Sequence, residues 1–338
     1  MRLNFARQPL IPAFLSLVLL LVVALCHTAS GTIAPILRVG VDQAVLPIPA
    51  PGAALEAFRL AHPNWAHTIG GFLILFSAMT IGRMTARFKL YGINTFVAMP
   101  LYALCMMGVV RSEWWFSGLV ASTLLTLAVK NFCYSFRNGF SFRNGFSFDA
   151  TFRGGMYLAL LLLVEPKSAP LLLALPIALM QFRRATRESL VALGGLLLPP
   201  LTLGYLNWAL GGSFIAPFVE LYHRFMQGEW LTGMLHAPLT EQIFCGVLLL
   251  LNLLSIALFL ANSYTLSTRS RHTLLYASYL LLLTVATFLL PAGSIARVAL
   301  LAVPSALLLP VLLIRIRRSI TQILYPLLVM AALASLYF

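Results

Sequence analysis

Residues 1–28 read MRLNFARQPLIPAFLSLVLLLVVALCHT. Arg2 and Arg7 precede a run without charge from Leu10 to Cys26. A bilayer is crossed by a helix of about 20 apolar residues, so this run asks for lipid as its solvent. Lys and Arg are retained on the cytoplasmic side, so the basic flank predicts an amino terminus inside. The same stretch resembles a secretory signal peptide. The HTASG that follows (27–31) is a poor cleavage site, and further apolar runs come after it. We therefore expect an uncleaved first helix.

The pattern continues along the chain. Of 338 residues, 60% are hydrophobic and 9% charged, against roughly 25% charged in a soluble domain. The net charge of +14 does not point to nucleic acid, because the basic residues stand in small groups between apolar runs. Cys26, Cys105, Cys133 and Cys245 lie in or beside such runs at no metal-ligand spacing, and are expected as buried free thiols.

Eleven spans are predicted, at about 10–28, 66–82, 91–110, 114–129, 148–164, 168–182, 189–208, 243–261, 274–290, 295–314 and 319–337. With the amino terminus inside, 17 of the 23 Lys and Arg fall on inner segments, leaving Arg38, Arg59, Arg111, Lys167, Arg224 and Arg297 outside. Only Asp149 and Glu188 of the nine acidic residues are inside. The expected fold is an all-α polytopic transmembrane bundle, residues 1–338 forming one integral membrane domain. It is placed in a bacterial inner membrane, with the carboxyl terminus outside.

The pair at 148–182 is the uncertain element. Its middle is Glu165-Pro166-Lys167, between two basic flanks. At about 1.5 Å per residue the second arm reaches some 22 Å, short of a core of roughly 30 Å. Both an ordinary outer turn and a re-entrant hairpin fit.

Two outer loops are long, about 30–64 and 209–242. The first has a Pro-rich break at 47–52, then a helix-like stretch from Ala53 to Ala61. In the second, Phe214, Phe218, Leu221, Tyr222 and Phe225 recur at helical spacing, opposite Glu220, His223, Arg224 and Gln227. That pattern predicts an amphipathic helix, either in the interface or packed over the bundle. Residues 135–146 hold SFRNGF twice in tandem, a loop duplication or a basic-aromatic strip for anionic headgroups.

Signatures of soluble enzymes are missing: there is no phosphate-binding glycine loop, HExxH or CxxC. No metal or cofactor is expected. Asn207 and Asn252 are read as interhelical hydrogen-bond donors. Gly194-Gly195 and Gly211-Gly212 are read as close-packing or turn positions. The ionisable residues gather at the outer face. A carboxylate there can act as general base and arginines can clamp a phosphate.

Two resemblances follow. FRGGMYLAL (152–160), EPKSAP (165–170), an apolar arm and Arg183-Arg184 resemble a pattern in C-type glycosyltransferase-like proteins and polysaccharide polymerases. The whole chain is similar to a family of uncharacterised bacterial multi-pass inner-membrane proteins, a domain of unknown function. The shared features are Arg183 or Arg184 to Arg187-Glu188, then a span with Pro199-Pro200. The glycosyltransferase resemblance implies a catalytic acid in the first outer loop, by position Asp42 or Glu56. It implies a polyprenyl-phosphate-linked sugar as substrate, in contact with membrane lipid. Arg59, His62, Glu165, Lys167, His223, Arg224 and Arg297 are the candidate substrate-binding residues. The expected role is in cell-envelope biogenesis. The alternatives are a non-catalytic membrane subunit of an export or assembly machine, or a transporter.

Overall fold

The computed structural model describes residues 8–30, 49–107, 109, 115–135, 146–226, 239–290 and 297–337. Among these residues the chain is all-helical: thirteen α-helices, two 3-10 segments and no strand. Six of the helices are long and apolar enough to cross a membrane.

Helix α1 (Leu10–Ser30) is followed by α2 (Pro51–Ala61) and α3 (Pro63–Phe88). The stretch from Ala53 to Ala61, expected as helix-like, is thus helical. Lys89, with φ 46°, and Gly92, with φ 76°, then turn the chain. Helix α4 (Ala98–Met106) is the shortened member of the set. The apolar run 91–110 suggests a full span, but nine helical residues reach only about 14 Å. All nine are buried. Apolar composition here marks burial inside the bundle and does not set helix length.

Helices α5 (Trp115–Ser135) and α6 (Phe146–Val164) come next. A 3-10 segment (Pro166–Leu173) continues into α7 (Ala174–Gln181), so the second arm of the hairpin changes helix type midway. This change corrects the length estimate. A 3-10 helix rises about 2.0 Å per residue, so eight such residues and eight α-helical ones reach about 28 Å. The arm thereby matches the 19-residue α6.

Helices α8 (Thr186–Ala209), α9 (Ala216–Met226), α10 (Leu239–Ala261), α11 (Thr268–Phe288), α12 (Val298–Arg315) and α13 (Arg318–Tyr337) complete the fold. A short 3-10 turn (Ser263–Thr265) precedes α11. The predicted amphipathic helix is α9. Helix α12 is the central one: every residue from Val298 to Leu313 is buried. It packs against α4, α5, α10 and α11. Its Pro304 and Pro310 are tolerated because neighbouring helices surround it.

Two kinds of contact hold the helices together. The first is close approach at glycine. A Cβ on Gly155 of α6 would lie 2.3 Å from the Ala192 carbonyl oxygen, and one on Gly195 of α8 would lie 2.1 Å from that of Phe152. Only glycine lets these two backbones touch. Gly194, beside it, faces open space. The second is interhelical hydrogen bonding. Asn252 Nδ2 donates to Ser305 Oγ at 2.8 Å, joining α10 to α12 as predicted. Ser77 Oγ donates to Thr123 Oγ1 at 3.1 Å and Tyr91 Oη to the Leu307 carbonyl at 2.9 Å. Asn207 behaves differently. Its Nδ2 donates to the Ser213 carbonyl at 2.7 Å, closing the turn after α8, because Gly211, at φ 87°, folds the chain back beneath it. Cys105, Cys133 and Cys245 are free thiols.

Large apolar side chains of α8, among them Leu190, Leu197, Leu201 and Tyr205, point outward. Such a surface is costly in water.

Candidate functional site

The helix ends sort into two groups. At one end, arginines cap helix carboxyl termini. Arg184 Nη2 donates to the Phe132 carbonyl at 3.3 Å and Arg269 Nη2 to that of Cys133 at 3.2 Å, both in the last turn of α5. The Arg269 guanidinium also lies 3.6 Å over the Phe88 ring, at the end of α3. Cations placed there complement the negative end of the helix dipole.

The opposite end carries the candidate residues. Helix α2 lies across it, its Gly52 seated against the carbonyl of Val164 at the end of α6. Glu56 and Arg59, one turn apart on α2, are both buried. Arg59 Nε meets Glu56 Oε2 at 2.5 Å, and Glu56 Oε1 accepts the Ser117 N–H at 3.0 Å. The carboxylate thus caps the first turn of α5, where a negative charge meets unsatisfied amides and the positive end of the dipole. Both its oxygens are engaged, which makes Glu56 an anchor between α2 and α5.

Glu165 is held differently. It stands between α6 and the 3-10 segment, with 19% of its side chain exposed. Arg297, just before α12, is 1% exposed. Arg297 Nη1 donates to the Thr287 carbonyl at the end of α11 at 2.7 Å, and its Nε lies 3.8 Å from Glu165 Oε1. That second distance is an ion contact beyond hydrogen-bond range. Burial pushes the Glu165 carboxyl above the usual carboxylate range, although Arg297, Lys167 and Arg224 pull it down. Lys167 is half-buried, and burial together with Arg297 depresses its ammonium below the usual lysine value. Arg224 pairs with Glu220 at 2.6 Å on α9.

The fold therefore draws Glu165, Lys167, Arg297, Arg224 and Glu56 together from four distant stretches of sequence. His62 and His223 remain exposed. His62 has Phe58 as a ring neighbour at 5.4 Å, and the ring beside His223 is Tyr222, at 6.2 Å. Asp42 lies outside the described residues, as do the repeat residues 136–145. Sequence reading missed two contributors. The Thr287 carbonyl is a backbone acceptor and leaves no sequence signal. The Ser168 hydroxyl is buried with no hydrogen-bond partner among the described residues. Its place one position after Lys167 was the available hint. No group of three or more His, Cys, Asp and Glu suited to a metal ion occurs among the described residues.

The chain matches no family model, no curated protein and no solved structure.

Proposed function

We propose that this chain is a multi-pass protein of a bacterial inner membrane, acting in cell-envelope biogenesis on a lipid-linked sugar at the end that holds Glu165. In this reading it has about eleven spans, the amino terminus is cytoplasmic and the carboxyl terminus outside. The capping arginines of the basic end then face the cytoplasm, in keeping with the usual retention of positive charge there. The Glu165 end faces outward, where polyprenyl-phosphate carriers present their sugars.

The observation that carries the reading is the environment of Glu165. A carboxyl whose pKa burial raises above the usual carboxylate value, and whose side chain stays partly exposed, suits general acid–base work. Glu56, with both oxygens engaged, suits it less. In a glycosyl transfer, the acceptor hydroxyl loses its proton to the Glu165 carboxylate. Its oxygen bonds to the anomeric carbon, and the bond from that carbon to the carrier phosphate breaks. The carrier leaves as the polyprenyl phosphate. The resemblance to C-type glycosyltransferase-like proteins favours the same chemistry, with the base moved from the first outer loop to the hairpin turn.

The test is a chromosomal Glu165→Gln replacement, scored for loss of an envelope glycan with the protein still present in the membrane. Loss of a glycan is expected. A complete set of envelope glycans would remove the enzymatic reading.

A further inference from the structure

Two exposed arginines meet at the basic end, where α7 stops and α11 begins. His272 Nδ1 of α11 lies 3.4 Å from Oε1 of Gln181, the last residue of α7. The next ring, Phe182, is 5.5 Å from that of Tyr276, about one turn further along α11. Arg183 follows directly. It and Arg271 both act electrostatically on His272, so two guanidiniums flank one imidazole. Their side chains are exposed and make no hydrogen bond or ion pair among the described residues. Glu188 lies near in sequence, but Arg184 holds it at 3.1 Å while also reaching the Phe132 carbonyl.

Below these cations the same two helices expose apolar side chains. On α7, Met180 is 77% exposed and stands three residues before Arg183. On α11, Tyr279 and Leu282 are exposed about two and three turns after Arg271, on the same face. Arginines at helix ends above an apolar strip match both parts of a phospholipid. The guanidinium fork pairs with the headgroup phosphate, and the strip takes an acyl chain. A nucleic acid or an acidic protein would meet the arginines but leave the strip in water, where it is costly.

We propose that Arg183 and Arg271 hold the phosphate of an anionic phospholipid whose acyl chain lies along Met180, Tyr279 and Leu282. This site needs only a bilayer around the basic end, and is independent of the chemistry at Glu165.

The full-length chain is purified in a non-ionic detergent and its thermal stability is followed as phosphatidylglycerol, phosphatidylcholine or soluble glycerol phosphate is added. A ligand that binds the folded state alone raises stability with its concentration. Saturable stabilisation is expected from phosphatidylglycerol, above that from the other two. Glycine fits the backbone of Arg183, at φ 49°, without strain, so Arg183→Gly removes the side chain and keeps the turn. Combined with Arg271→Gln, it is expected to raise the concentration for half-maximal stabilisation by about tenfold or more. Met180→Gln should raise it by less, and Arg183→Lys with Arg271→Lys should retain most of the effect. Arg317→Gln removes an exposed charge from the α12–α13 junction and is expected to change little. Equal stabilisation by phosphatidylcholine or by glycerol phosphate would overturn the site. So would an unchanged response in the Arg183→Gly, Arg271→Gln protein, or an equal loss in Arg317→Gln.

Discussion

Arg297 Nε lies 3.8 Å from Glu165 Oε1, so a residue at the entry of the central helix α12 meets the turn between α6 and the 3-10 arm. The contact spans two regions far apart in sequence and closes the end of the bundle. Arg297 also holds the Thr287 carbonyl at the end of α11. One side chain therefore ties three helices.

Removing one partner from a buried ion pair leaves an uncompensated charge and costs more than removing both. Arg297→Ala is expected to destabilise the protein by about 3 kcal/mol. Adding Glu165→Gln to it is expected to recover part of that loss. A double-mutant cycle on thermal unfolding in detergent reads the coupling. Strict additivity would show that the contact carries no energy.

Glu56 is expected to behave as an anchor. Glu56→Ala leaves Arg59 buried and the Ser117 amide without its acceptor, costing about 2–4 kcal/mol. Glu56→Gln keeps an oxygen for Ser117 and should retain more stability and most activity. An inactive Glu56→Gln protein of normal stability would restore Glu56 as the general base.

The Glu165 turn predicts a pH dependence. Its carboxyl titrates above the ordinary value of 4.5, so the folded state binds the proton more tightly than the unfolded state does. Stability is therefore fullest below 4.5 and falls as pH rises through the raised value. Arg297, Lys167 and Arg224 oppose the shift and Glu56 adds to it. Lys167 is depressed below 10.5, so its contribution runs the other way, with stability recovering as pH climbs from its lowered value towards 10.5. Thermal scans from acid to alkaline pH should show the acid limb in the parent protein and a flattened one in Glu165→Gln. An unchanged acid limb would assign it to another group.

The α6–α8 crossing gives a paired test. Gly155→Ala or Gly195→Ala would drive a methyl group into a facing carbonyl, where the backbone cannot yield, and should cost about 2–3 kcal/mol. Gly194→Ala faces open space, and should be neutral or stabilising by up to about 1 kcal/mol through helix propensity. Equal effects at positions 194 and 195 would refute the crossing.

Much of this fold was legible in the sequence. Each predicted span contains helical residues, and six of the helices are long and apolar enough to cross a membrane, because apolar runs of that length have few other ways to satisfy their backbone. Helix α9 followed from periodicity, and most of α2 from the helix-like stretch after the Pro-rich break. What stayed hidden depends on tertiary contact. The shortness of α4 reflects burial on every side, which its composition shares with a full span. The 3-10 stretch at Pro166–Leu173 changed the rise per residue and so the length of the arm. Candidate residues such as Glu165, Lys167 and Arg297 were readable as charges standing between apolar runs. Which of them meet was not, since Glu56 turns to Ser117 and Glu165 to Arg297 only once the helices pack.

The central claim is that the Glu165 turn faces outward while the capping arginines face the cytoplasm. It is tested most directly by labelling single-cysteine proteins, Lys167→Cys and Arg187→Cys, with a membrane-impermeant maleimide in intact cells, the four native cysteines being replaced by alanine. The account predicts that Lys167→Cys is labelled from outside the inner membrane and Arg187→Cys only after that membrane is opened. The reverse pattern, or labelling of both from one side, would contradict it.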